Sequence, residues 1–122
     1  MKEHRITDKH YKKYQEYCDA WIKELGLTEW AVDYDRYFLP GYKASCSTHY
    51  TGCLSTLTIS DKWETGIKIR PTDKELRKTA LHEVLHMLLA KMAADVKDRS
   101  YHKEEVEMHE HEVVNRLVKV LL

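Results

Sequence analysis

No run of apolar residues in this sequence approaches the length of about 20 that a membrane-spanning helix requires. The first residues, Met1-Lys2-Glu3-His4-Arg5, are charged and lead into a polar stretch, so the apolar core of a secretory signal is missing too. Both absences point to the cytoplasm. Net charge is also lacking: 20 Lys and Arg offset 20 Asp and Glu. That balance gives no electrostatic reason to expect nucleic acid or an anionic membrane as the main partner. The three cysteines, Cys18, Cys46 and Cys53, are odd in number, which does not suit a secreted disulfide scaffold. Two prolines and four glycines form no linker, and there is no repeat or low-complexity tract, so residues 1–122 read as one domain. A domain of this size can bury a core without a metal or disulfide to hold it together.

What is present is an α+β pattern with many histidines, eight in all. Tyr11, Tyr14, Cys18, Trp21, Ile22 and Leu25 recur at three- and four-residue steps, which predicts a helix over 8–25, capped by Thr7 and closed by Gly26 in a left-handed conformation. Trp30, Val32 and Tyr34 alternate with polar neighbours, as in a half-buried strand. Two β-rich runs, 43–50 and 54–60, are separated by Thr51-Gly52-Cys53 and predict a hairpin. A short strand is expected at Ile67-Lys68-Ile69. Thr72 followed by Glu75, directly after Pro71, is a capping-box signal for a second helix. Leu76, Ala80, Leu81, Val84, Leu85, Leu88 and Met92 give that helix a wide apolar face through Ala94. A polar connection, Asp95 to Ser100, leads to a last helix from about His102. The expected order is helix, three or four strands, helix, helix.

The second helix contains His82-Glu83-Val84-Leu85-His86, an HExxH motif. Residues four apart lie one turn apart on the same face, so both imidazoles can reach one metal ion. Glu83, one step of about 100° from His82, sits on the flank, where its carboxylate can take a proton from water instead of ligating. Zn²⁺ suits this set because it accepts imidazole nitrogen and keeps an open position in catalytic sites. Leu81, Met87, Leu88 and Leu89 flank the motif and are apolar enough to dry it.

A third ligand is sought among Glu104, Glu105, Glu107, His109, Glu110, His111 and Glu112. Val106, Val113, Leu117, Val120 and Leu121 define the expected buried face of the last helix. At about 100° per residue Glu110 falls near the middle of that face and His109 near its edge, with His111 and Glu112 on the flanks or outside. A carboxylate in an apolar stripe is costly unless paired or metal-bound, which makes Glu110 the first candidate and His109 the second. A salt bridge from Glu110 to a buried cation is the plain alternative. His111 or Glu112 is a candidate to orient a ligand imidazole through its other ring nitrogen.

His82 to Leu89, followed by Glu110-His111-Glu112-Val113-Val114-Asn115-Arg116-Leu117, resembles the small metallopeptidases of phages and prophages. These are zincins of the gluzincin style, HExxH plus a glutamate from a later helix. The resemblance covers the C-terminal third and extends loosely to the strands. It implies a minimal zincin fold, zinc on His82, His86 and Glu110, catalysis by Glu83, and a peptide or protein substrate. SprT-like proteases share the strand-then-HExxH order but take a third histidine, which His109 or His111 would imitate. ImmA-like proteases carry a glutamate four residues before the Asn of an Ala-Asn pair. Here His111 stands in that position and the pair is Val114-Asn115. The metzincin extension is absent.

Weaker signals remain. Cys46, His49 and Cys53 would lie together in the hairpin and suggest a second, structural zinc, although no CxxC pair supports it. Arg99, Tyr101 and His102, between the two site helices, are candidate donors to an oxyanion. Lys9, Lys12 and Lys13 beside Tyr11 and Tyr14 read as a solvated helix face, and most aromatics as packing. Two rival readings are a catalytically silent zinc-binding interaction module and a metal-free phage regulatory protein.

Overall fold

The computed structural model describes residues 3–64, 69–99 and 102–122. A two-residue strand β1 (His4–Arg5) precedes helix α1 (Asp8–Glu24). Thr7 caps α1: its hydroxyl accepts the His10 N–H at 3.2 Å, while His10 Nδ1 accepts the Thr7 N–H at 3.1 Å. Histidine thus fills the reciprocal place usually taken by Glu or Gln. Gly26 closes the helix at φ +71°, the left-handed value a side chain would strain. Tyr14, Cys18 and Ile22 bury the stripe the spacing predicts, with Tyr11, Trp21 and Leu25 packed beside it.

Strands β2 (Ala31–Tyr37), β3 (Ala44–His49) and β4 (Leu54–Ser60) form a sheet in the order β2-β4-β3. β3 and β4 are the expected antiparallel hairpin, joined by a 3₁₀ turn at Tyr50–Gly52 and by Cys53 at φ +50°. β2 pairs with β4 in parallel, which the local sequence does not reveal. Register sets Tyr34, Leu57 and Cys46 side by side, with Arg36, Ile59 and Ala44 in the next row. Leu57 and Ile59 are fully buried, and Tyr34, Cys46 and Ala44 pack against that core. On the other face of the central strand β4, Leu54 is exposed, while Thr58 and Ser60 at its end are buried, with Ser60 Oγ accepting the Leu39 N–H at 3.0 Å. Strand β5 (Lys62–Trp63) pairs with β1. The strand expected at 67–69 lies mostly outside the described residues, and Ile69 has no regular structure.

Helix α2 (Asp73–Arg99) begins as predicted, with the Glu75 N–H donating to Thr72 Oγ1 at 3.3 Å. It runs five residues past Ala94, through what reads locally as a polar connection. The reason is that 95–99 contains no Pro or Gly to stop it, and Lys97 meets Glu107 of the next helix at 3.1 Å. Helix α3 spans Lys103–Leu121.

Two apolar clusters flank α2. Leu76, Ala80, Val84, Met87 and Ala90 join α1 and the sheet. Leu81 and Leu85 join Val114 of α3, with half-buried Leu89, Leu117 and Val118 around them. Leu88 and Met92 fall outside both and are exposed, contrary to expectation. The buried face of α3 is also narrower than its sequence suggests. Val114 is fully buried, whereas Val113, Val120 and Leu121 are exposed, because the helix touches α2 along a single stripe through Val106, Glu110, Val114 and Leu117. Among the described residues no helix is long and apolar enough to cross a membrane.

Candidate metal centre

Because α2 is packed on two sides, nearly every side chain from Thr79 to Met87 is buried, Glu83 included. His82 and His86 are the two exceptions, each half-buried. The motif helix therefore has one window, and both imidazoles stand in it. Their Nε2 atoms are 3.2 Å apart. His111, on the flank of α3, completes the group. Its ring lies 5.6 Å from that of His82 and 4.7 Å from that of His86, centroid to centroid. One ring nitrogen from each of the three histidines lies within 4.8 Å of the other two.

Each motif histidine is held from behind. Glu110 Oε1 stands 3.5 Å from His86 Nδ1, and the side chain of Asn115, one turn beyond His111, hydrogen-bonds to His82. Burial, followed by the neighbouring His86, His111 and Lys43, lowers the His82 pKa to about 4. Burial likewise lowers that of His86, against the opposing pull of Glu110. Both rings are thus kept in the neutral form that ligates metal. Glu83 Oε1 is 3.9 Å from His82 Nε2, and its other oxygen is buried with no hydrogen-bond partner among the described residues. Desolvation raises the Glu83 pKa to about 8, with Lys43 pulling the other way. A carboxyl that changes protonation near neutrality, within 4 Å of a histidine cluster, can accept and return a proton.

The residues singled out from sequence separate clearly. His82, Glu83 and His86 come together. Glu110 does sit mid-stripe on the buried face of α3, but its carboxylate turns to His86 Nδ1, and it is outside the three-nitrogen group, which takes His111 instead. His111 is missed by a burial argument because the site opens beside the apolar stripe, not beneath it. Glu112 is exposed, and His109 lines a separate groove between α2 and α3 together with His102. Cys46, His49 and Cys53 form no metal group among the described residues. Cys46 faces the helices in the Leu57 row, while His49, three residues on, lies on the opposite, exposed face of β3. Arg99 is exposed at the end of α2, and Tyr101 lies outside the described residues. Lys9 and Lys12 are exposed, and Lys13 pairs with Asp73 at 3.4 Å.

The window opens into two cavities. One, of about 1080 Å³, reaches from His82 and Asn115 toward the start of α2. The other, of about 440 Å³, reaches from His86 and His111 past Cys46 and Ala90. Glu83, Tyr42 and Ala44 border both, so the two cavities meet beside the start of β3. No protein-family model, curated protein or solved structure matches this chain.

Proposed function

We propose that this chain is a zinc-dependent peptidase, a minimal zincin in which His82, His86 and His111 hold the metal and Glu83 is the general base. The observation that carries the reading is three imidazoles converging beside a buried carboxyl, one oxygen of which has no hydrogen-bond partner among the described residues. The donor set fits zinc. Two nitrogens on one tetrahedral zinc at about 2.05 Å stand about 3.3 Å apart, and the Nε2 atoms of His82 and His86 are 3.2 Å apart. All-histidine donors also favour zinc over calcium or magnesium, which take oxygen. Zinc in that position would supply Lewis acidity toward a water and toward the scissile carbonyl. With a third histidine in place of a glutamate, the pattern is nearer the SprT-like arrangement than the gluzincin one.

The chain's own residues do the rest. Glu110 and Asn115 fix the orientation of His86 and His82, the role that outer carboxylates and amides play around ligand imidazoles. Glu83 takes a proton from the attacking water and returns it to the leaving amine. β3 has β4 on one side only, and among the described residues no strand pairs with its other edge. An extended peptide can add there, with its scissile bond beside the histidines.

The test is hydrolysis of casein and of a peptide library by zinc-loaded protein. Glu83→Gln should keep one zinc per chain while turnover falls by roughly 10²-fold or more, the scale of a lost general base. Equal turnover by the variant, or full activity after chelation, would refute the reading.

A further inference from the structure

The larger of the two cavities has a charge that the rest of the molecule lacks. The chain as a whole is neutral, yet Lys43, Lys74, Arg77, Lys78 and Lys119 all line this cavity. They come from three places, the start of β3, the first turns of α2 and the last turn of α3. Asp73 and Glu75 are the acids among them, apart from Glu83. Those two are already engaged: Asp73 with Arg77 at 3.1 Å and Lys13 at 3.4 Å, Glu75 with Lys43 and Lys78 at 3.8 Å each. Lys74 and Lys119 have no ion-pair partner among the described residues. The smaller cavity differs in kind, being walled by Ala44, Cys46, Ala90, Ala93 and Ala94, with Lys97 held by Glu107.

Resting on the peptidase reading, we infer that the substrate is a peptide carrying acidic side chains on one side of the cleaved bond, seated in the cavity bounded by Lys43, Lys74 and Lys119, with small residues on the other side. Charge complementarity decides the first half and the alanine-lined walls decide the second. A nucleic acid fits less well. Its phosphates run on without a break, whereas beyond the histidines the cation lining the smaller cavity, Lys97, is paired with Glu107, and Glu110 stands beside it.

The experiment uses extended fluorescent peptides of one length, with a block of three glutamates, serines or lysines at either end. Binding is measured on zinc-loaded Glu83→Gln protein and cleavage on zinc-loaded wild type. One glutamate-block peptide should bind about tenfold more tightly than its lysine counterpart, the effect of two or three partly exposed ion pairs. Raising salt from about 0.05 M to about 0.5 M should remove the difference. The double variant Lys74→Glu/Lys119→Glu, checked for unchanged zinc content and melting, should reverse the order. Binding that ignores charge, or tighter binding of a single-stranded oligonucleotide than of any peptide, overturns the inference. Cleavage without charge preference also overturns it and leaves the peptidase reading standing. Charge-selective binding with no cleavage of any peptide overturns that reading and, with it, the cleaved bond named here, while the cavity stands as a binding site for acidic peptides.

Discussion

Glu83 is the residue on which the chemistry and the stability of this protein pull in opposite directions. Its folded pKa of about 8 lies above the ordinary 4.5 because the carboxyl is desolvated. The fold therefore favours the protonated form, and the stability it contributes is complete below about pH 4.5 and lost as pH rises through about 8. His82 acts in the opposite sense. Its folded pKa of about 4 is below the ordinary 6.5, so the metal-free fold is penalised as pH falls from 6.5 toward 4. His86 is shifted in the same sense as His82, so Glu83 sets most of the slope only between about pH 7 and 8. Metal-free wild type should lose about 1 kcal/mol of stability across that interval. Denaturant melts of Glu83→Gln should show little such slope, and an unchanged slope would mean that Glu83 is ionised in the fold. At this scale the sequence was most legible in His82, Glu83 and His86, whose spacing alone fixes a shared helical flank. It was least legible in the choice between Glu110 and His111. Adjacent helical residues point about 100° apart, and only the direction of the opening decides which of them joins the two motif imidazoles and which stands behind them.

α2 is the element that makes the site. The sequence understates its length because Asp95 to Arg99 looks polar, yet a polar stretch without Pro or Gly continues a helix when a neighbour supplies partners. Its two-sided burial leaves His82 and His86 as the half-buried positions between Thr79 and Met87. The hairpin, the α1 stripe and both helix starts were readable, since caps, turns and periodicity are local. The parallel pairing of β2 with β4 was not, because nothing local to either strand encodes which long-range edge it joins. α3 is held more lightly than α2. Val114 is its fully buried side chain, seated on Leu81 and Leu85, and this helix carries His111, Glu110 and Asn115. Val114→Ala should cost about 2 kcal/mol in denaturant unfolding, the scale of a truncated core valine. It should also weaken zinc binding in a competition titration. Lost stability with unchanged zinc affinity would mean that the seat of α3 on α2 does not position His111.

For the molecule as a whole, the site lies where three elements meet: α2 supplies His82, Glu83 and His86, α3 supplies His111, and β3 forms the facing wall. A metal there would tie α3 to the body of the fold, and a ligand that binds only the folded state stabilises it by about 4 kcal/mol at a thousandfold excess over its dissociation constant. The central claim is that three imidazoles, and not two plus a carboxylate, make this a zinc site. Zinc per chain after gel filtration tests it most directly, measured by elemental analysis on wild type, His111→Ala and Glu110→Gln. The account predicts one zinc in wild type, near-complete loss in His111→Ala, and retention in Glu110→Gln with affinity weakened by roughly 10- to 100-fold, as for an outer partner of a ligand histidine. Wild type that holds no zinc, or a full complement in His111→Ala with loss in Glu110→Gln, would contradict it.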